Sequence, residues 1–306
     1  DIQYNEIIVP TLDTTRYTFL LDVLIKHEKK IMFVGHTGTG KTAYIKQKML
    51  YGLEKEKYVP NFINFSARTS ANQTQDIVES KLDKRKKGVI GPPLGKKAIF
   101  FVDDLNMPQV EQYGAQPPIE ILRQWMDHKG WYAYYEKDPP FLELIDIQFI
   151  TAMGPPGGGK NQITPRFTRH FNLISLAPFE NSTLSVIFTA IIDWYLKGTA
   201  LMTAGKAVVN ASVDLYNTVI SSFRPTPAKS HYTFNLRDLS KVFQGVLQVN
   251  KEKLVDQRKL IRLWCHECIR VFQDRLINNE DRTKFNELVK EQIKEKFKME
   301  PKEILN

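Results

Sequence analysis

The chain has 306 residues, of which 42% are hydrophobic and 25% charged, and its formal net charge is +9. This balance is typical of soluble globular proteins, and no apolar run approaches the length of a membrane span, so we expect no membrane partner. The length favours two domains, or one domain with a substantial lid.

Three further features narrow the class of protein: the chain start, the cysteines and the charge distribution. The first residues lack the basic and apolar regions of a secretory leader and no Met begins them, so we expect a segment cut from a longer chain. Cys265 and Cys268 lie in a helical pattern without a second pair of ligands, so we expect partly buried helix thiols rather than a zinc site. Positive charge gathers in residues 81–87 and after Lys290, where we expect a solvated loop and a solvated helix face rather than a nucleic-acid track.

The first half of the chain alternates strand and helix patterns. A helix capped by Asp13 or Thr14 is predicted first. The predicted helices are 13–27, 42–51, 71–82 and 117–128, and the predicted strands are 31–34, 61–66, 98–102, 146–152 and 171–176. This rhythm predicts a mostly parallel sheet covered on both faces, with ligands at the carboxyl ends of its strands. The aromatic-rich run at residues 131–135 and the Pro pair that follows interrupt this alternation of strands and helices, and they predict an inserted β-hairpin.

Only helical periods follow residue 180. They predict helices at 181–196, 206–223, 236–248, 252–276 and 282–297. We therefore place the domain boundary near Ala177-Pro178, with an α/β subdomain over residues 1–177 and a helical subdomain over residues 178–306.

The strongest motif is the run IMFVGHTGTGKT, residues 31–42. It joins an apolar strand to Gly35-x-x-x-x-Gly40-Lys41-Thr42, the spacing of a phosphate-binding loop closed by a helix. Glycines let backbone N–H groups turn around an anion, and Lys41 and Thr42 then serve the phosphates and Mg²⁺. The alternative is a glycine-rich hairpin turn. The residues assigned to nucleotide binding here are Gly35, Thr37, Gly38, Thr39, Gly40, Lys41, Thr42 and Ala43.

A second motif is the apolar strand 98–102 followed by Asp103 and Asp104. After a phosphate loop, such a pair favours nucleoside-triphosphate chemistry, since one acid can orient the metal and the next can polarise an attacking water. We assign Asp103 to Mg²⁺ and Asp104 to the water. The alternative is a strand-end turn capped by two aspartates.

A second glycine-rich run, Gly154 to Lys160, also has the spacing of a phosphate loop. Asn161 stands where Ser or Thr would bind magnesium, and nearby prolines oppose a helix beginning at Lys160. We expect a mobile loop near the site and little contribution of Lys160 to ATP binding.

Four segments together resemble a known family. They are the phosphate loop, FVDDLNMP (101–108), YGAQPPIE (113–120), and the glycine-rich run from 154 with TPRFTRHF (164–171). Over nearly the whole chain the sequence is similar to the third AAA+ module of a dynein heavy chain of the axonemal kind. The resemblance implies a P-loop AAA+ domain, with a five-stranded parallel sheet flanked by helices and a smaller all-helical lid after it.

The resemblance also implies roles for individual residues. Val9, Pro10 and Thr11 match the segment that packs against adenine, and Lys41, Thr42 and Asp103 match the phosphate and magnesium residues. Asp104 stands where most relatives carry Glu, and Gly154 stands where many place a polar sensing residue, so slow hydrolysis is implied. Arg166 aligns with the finger that serves a neighbouring module. Arg237 aligns with the lid arginine that contacts the γ-phosphate. For both arginines the alternative is an ordinary surface ion pair.

The resemblance implies a regulatory, slowly hydrolysing ATPase module that gates a microtubule motor and is a weak enzyme in isolation. Its cofactors would be ATP or ADP with Mg²⁺, and its partners the neighbouring modules of the same heavy chain, with microtubules reached only through the full motor. It would lie in the cytoplasmic cytoskeleton, in the axoneme of a cilium or flagellum. Two alternatives are an ADP-locked structural module and a nucleic-acid-remodelling AAA+ protein; the second is disfavoured because basic and aromatic residues are not interleaved.

Overall fold

The computed structural model describes Tyr4 and residues 7–305, which form two compact units. One unit is Leu12–Pro178, and the other joins the residues from Phe179 onward to the described residues before Leu12. Ile7 and Val9 pack against the helical core, so the segment before Leu12 groups with the helical unit, whereas the sequence analysis assigned it to the α/β subdomain. The parts of those subdomain assignments at residues 1–3, 5, 6 and 306 lie outside the described residues.

The α/β unit contains nine strands and five helices among its described residues. In chain order they are α1 (Leu12–Lys26), β1 (Ile31–Gly35), α2 (Lys41–Tyr51), β2 (Tyr58–Asn64), α3 (Ala71–Glu79), β3 (Asp83–Lys86), β4 (Val89–Gly91), β5 (Lys97–Asp103), α4 (Pro117–His128), β6 (Gly130–Tyr132), β7 (Phe141–Leu144), β8 (Ile147–Met153), α5 (Pro165–Thr168) and β9 (Asn172–Leu176).

The main sheet has five parallel strands in the order β2-β5-β8-β1-β9, which confirms the predicted fold class. Its central strands read as continuous apolar runs because helices cover both faces. Phe100 of β5 stacks on Phe149 of β8 with ring centroids 5.5 Å apart, and Trp125 of α4 meets Phe149 edge-on at 5.1 Å. The core thus fixes the relative position of the strands whose carboxyl ends carry the candidate site.

A second sheet of four strands has the order β3-β4-β7-β6. The predicted hairpin is present as the antiparallel pair β6 and β7. The prediction of a solvated loop at residues 81–87 was wrong, because β3 and β4 form another hairpin that turns at Gly88, where φ is 74°. β4 also pairs with β7, so the basic strand β3 joins a larger sheet through β4. A local charge pattern does not reveal this long-range pairing.

The helical unit contains α6 (Asn181–Leu196), α7 (Met202–Ser222), α8 (Leu236–Leu247), α9 (Gln257–Phe272), α10 (Asn279–Phe297) and α11 (Pro301–Leu305). The single helix predicted at 252–276 is instead divided, because Asp256 caps α9 by accepting from the Lys259 N–H. Phe188 stacks on Phe243 at 4.2 Å, and buried Trp264 donates to Ser212. No helix within the described residues combines the length and apolarity that a membrane crossing requires.

Candidate functional site

The phosphate loop lies where the sequence analysis placed it, between the end of β1 and the start of α2. Gly38 has φ 89° and Gly40 has φ 80°, in the left-handed region that glycine favours. A methyl group on Gly35 would lie 2.9 Å from the carbonyl oxygen of Leu176. Glycine at these positions therefore lets the loop curl closely, and the N-terminus of α2 completes a cradle suited to an anion.

Lys41 is the first residue of α2, and its side chain turns back over the loop. Its Nζ donates to the carbonyl oxygens of Gly35 and His36, each at 2.7 Å. The Thr39 hydroxyl donates to His36 as well, at 2.9 Å, which tightens the turn. The ammonium group is thus held against the backbone of the loop.

Thr42 and Asp103 are brought together by the sheet, although they lie far apart in the sequence. The Thr42 hydroxyl donates to Asp103 Oδ2 at 2.7 Å. Hydroxyl and carboxylate oxygens are ligands that Mg²⁺ accepts in phosphate sites. The pair therefore fits a magnesium ion held beside the phosphate loop, and these two residues would hold it.

Asp104 is exposed and adopts φ 51°, the left-handed region that non-glycine residues seldom occupy. Its backbone N–H donates to Asp103 Oδ1 at 3.0 Å, and its carbonyl accepts from Met107. The turn separates the two carboxylates, so one remains beside Thr42 while the other is open to solvent. This division suits the metal and water roles assigned to them.

The glycine-rich run after β8 is attached to the segment that follows Asp104. The side-chain amide nitrogen of buried Asn106 donates to Gly154 O at 2.9 Å and to Asn161 O at 3.1 Å. The backbone N–H of Asn161 donates to Asn106 O, and its side-chain amide nitrogen donates to Pro108 O at 2.7 Å. Both ends of this run are thereby fixed beside the two aspartates. Sequence reasoning missed Asn106, whose only local signal was its place in the FVDDLNMP segment.

Arg166 lies on α5 and is exposed. The short helix is held by Asp127 of α4, whose Oδ1 accepts from Arg169 at 2.9 Å and lies 3.0 Å from His170 Nε2. Burial lowers the pKa of His170, with Asp127 opposing that shift. Burial acts to raise the pKa of Asp127, but the adjacent His170 and Arg169 outweigh it and lower that pKa overall. Asp127 was missed as a positioning residue because nothing in the sequence marks its partners.

The remaining predicted residues belong to the helical unit. Val9, Pro10 and Thr11 precede α1, and Arg237 is the exposed second residue of α8. Asn235 caps that helix, and buried Asp238 receives two hydrogen bonds from Arg275, at 2.6 and 3.2 Å. This ion pair fixes the first turn that carries Arg237. The roles of these four residues toward nucleotide stay predictions.

The cysteines lie in α9 and both are buried, with free thiols. Burial raises the pKa of Cys265 to about 12 and that of Cys268 well above its usual value. Among the described residues, no group of three or more His, Cys, Asp or Glu side chains is placed to hold a metal ion.

Comparison with known families gives two matches along the chain. The model described as "P-loop containing dynein motor region" matches residues 1–179. The model described as "Dynein heavy chain, ATPase lid domain" matches residues 187–282. The two matches follow the order of the α/β and helical parts of the sequence.

Curated relatives cover nearly the whole chain. Dynein axonemal heavy chain 3 of Mus musculus is 54% identical over 304 residues, which are 98% of this chain and 7% of that protein. Dynein axonemal heavy chain 12 of Rattus norvegicus is 52% identical over 298 residues, 96% of this chain and 10% of that protein. Dynein axonemal heavy chain 1 of Homo sapiens is 52% identical over 304 residues, 95% of this chain and 7% of that protein. The chain thus spans 7–10% of the length of these relatives.

Proposed function

The chain belongs to the family of P-loop containing dynein motor regions, and we propose that it is an ATP-binding, slowly hydrolysing AAA+ module that regulates a dynein motor cycle. We further propose that it is the third such module of its heavy chain. Its neighbours would then be other modules of the same chain, and its place the axoneme of a cilium or flagellum. Microtubules would be reached only through the full motor.

The hydrogen bond between Thr42 and Asp103 carries this proposal. It joins the phosphate loop to the acidic strand end at 2.7 Å, with the Lys41 ammonium held in the same loop. A glycine-rich hairpin alone would not require an acid at that distance. The combination favours a nucleotide with a divalent cation over a simple anion site.

The chain's own residues divide the work of binding and hydrolysis. Backbone N–H groups of the loop and Lys41 would hold the phosphates, and Thr42 with Asp103 would hold Mg²⁺. The magnesium ion, when bound, supplies charge neutralisation at the phosphate oxygens. Asp104 would orient the attacking water and accept its proton. Because aspartate is one methylene shorter than glutamate and Asp104 leaves the strand in a tight turn, slow turnover follows.

Titration with a fluorescent ATP analogue, with and without Mg²⁺, tests ATP binding. Lys41→Ala should weaken binding about tenfold to a hundredfold, the range expected for loss of a hydrogen bond to a charged group. Asp103→Ala should remove the gain in affinity that Mg²⁺ provides. Lys87→Ala, at an exposed lysine in the turn between β3 and β4, removes the same charge and should change little. Equal losses for Lys41→Ala and Lys87→Ala would refute the site.

An ADP-locked structural module is the second candidate, favoured by the exposed, short Asp104 and by Gly154, which offers no side chain to hold a water. The two candidates differ in turnover within the intact motor. Asp104→Asn should leave ATP bound and stop the hydrolysis contributed by this site. If the motor's rate and the nucleotide content of this site are the same with and without the substitution, the locked module is the correct description.

A further inference from the structure

The side chain of Lys160 lies over Gly154 at the carboxyl end of β8. A methyl group on Gly154 would overlap the Lys160 ammonium, and would lie 2.9 Å from its Cδ and 3.1 Å from its Cε. Gly154 is therefore the residue that leaves room for this lysine. Lys160 itself is half-buried, although the three glycines before it are exposed.

The backbone of the run holds Lys160 in that place. Gly157 and Lys160 exchange two backbone hydrogen bonds, at 2.9 and 3.2 Å, and the glycines at 157, 158 and 159 all have positive φ. This tight turn returns the chain toward β8. Asn161, the next residue, is bonded to Asn106, so the run is closed at both ends. A loop held in this way presents its lysine in a fixed direction.

The strand register locates the lysine relative to the candidate site. Met153 of β8 is paired with Val34 of β1, one residue before Gly35, and Thr151 is paired with Val102 of β5, one residue before Asp103. Gly154, the residue after β8, therefore lies between the phosphate loop and the acidic end of β5. In a parallel sheet this carboxyl edge is where ligands bind.

The Lys160 ammonium has no hydrogen bond or ion pair with any described residue. A half-buried cation gains from an anionic partner, and the same edge carries the phosphate loop. Lys41 already reaches the phosphates from the loop side. A second cation arriving from β8 would face the terminal phosphate, the part that ATP has and ADP lacks.

We propose that Lys160 is a second phosphate-binding cation of this site, which contacts the terminal phosphate of a nucleoside triphosphate and so distinguishes it from the diphosphate. The proposal rests on the proposed ATP binding, and it replaces the expectation that Lys160 contributes little. Gly154 then has a defined purpose, because the absence of a side chain makes space for the lysine.

The test compares the affinities of the 306-residue chain for ATP and ADP with Mg²⁺, using fluorescent analogues. Lys160→Ala should weaken ATP binding about tenfold to a hundredfold and change ADP binding far less, since the lost contact is a charged hydrogen bond to one phosphate. Lys160→Arg should retain most of the preference for ATP. Lys87→Ala is the matched control for loss of one positive charge, and should leave the ratio of the two affinities unchanged.

Gly154→Ala gives an independent perturbation that keeps the charge. Its methyl group should displace the lysine and lower ATP affinity selectively, and it should add no further loss of ATP affinity in the Lys160→Ala protein. Circular dichroism and the urea midpoint should show that Gly154→Ala and Lys160→Ala are folded. Because Lys160 is half-exposed, Lys160→Ala tests the proposal even if Gly154→Ala is unstable.

The outcomes distinguish a failure of this proposal from a failure of the proposed ATP binding. If the unmodified chain binds ATP and Lys41→Ala weakens it, but Lys160→Ala behaves as Lys87→Ala or weakens ATP and ADP equally, Lys160 is not a terminal-phosphate contact. If the unmodified chain binds neither nucleotide, or Lys41→Ala binds as well as the unmodified chain, the proposed function itself fails and this inference with it.

Discussion

Gly40→Ala should damage both the stability of the α/β unit and ATP binding. Gly40 has φ 80° and caps α2. A Cβ there would lie 2.8 Å from Tyr44 Cζ and 3.1 Å from the Tyr44 hydroxyl. Tyr44 is 5% exposed and stacks on Tyr17 with centroids 6.1 Å apart, so the ring cannot move aside without disturbing its neighbour.

The expected cost has two parts. Placing a non-glycine residue in the left-handed region costs about 1–2 kcal/mol. Forcing a methyl group against a packed ring adds about 1–3 kcal/mol. Gly95 is a matched control, because its φ is 82° and a Cβ there would meet nothing within 4 Å. Gly95→Ala should therefore show the first cost without the second.

Urea unfolding and hydrogen exchange over β1 and α2 measure this difference. Gly40→Ala should lower the free energy of unfolding of the α/β unit by about 2–5 kcal/mol, and Gly95→Ala by about 1–2 kcal/mol. Gly40→Ala should also weaken ATP binding about tenfold or more, since the loop amides lose their alignment. If the two alanine variants are equally stable and bind ATP equally well, the close approach of Tyr44 to the loop has no energetic consequence and the reasoning is refuted.

Two further predictions concern the arginines and the thiols. Arg166→Ala should leave the ATP affinity of this chain unchanged, whereas Arg237→Ala should lower ATP affinity more than ADP affinity; a titration with the reverse pattern would exchange their roles. Because burial raises the pKa of Cys265 to about 12, thiolate stays scarce until the pH approaches that value, and at pH 8 it is about one part in ten thousand. Alkylation of Cys265 and Cys268 should therefore be slow in the native protein and fast in urea, and rapid native labelling would contradict the burial of α9.

Local sequence patterns were sufficient for the main sheet and the phosphate loop. The central strands β1, β5 and β8 are short apolar runs buried on both faces, so each is recognisable without its neighbours. Residues 35–42 combine glycines that adopt special backbone angles with the lysine and threonine proposed to bind phosphate and Mg²⁺, and such a pattern is local. The same holds for Asp103 and Asp104, which directly follow a buried strand.

Features that depend on distant partners were not predictable in this way. The basic strand β3 looks like a loop until β4 and β7 are placed beside it. Asp127 looks like an ordinary helix acid until Arg169 and His170, which directly follow α5, reach it. The described residues before α1 group with the helical unit through contacts with side chains far along the chain, as Ile7 and Val9 show.

The two lysines of the glycine-rich runs illustrate the same division. Lys41 is identified by its local sequence alone, because the loop and helix that hold it are contiguous. Lys160 has the same spacing, yet its position follows from Asn106, from the tight turn at 157–160 and from the space above Gly154. Sequence determined the chemistry that each side chain could offer. Tertiary structure decided where each of them lies, because contacts between distant segments set the direction of a side chain.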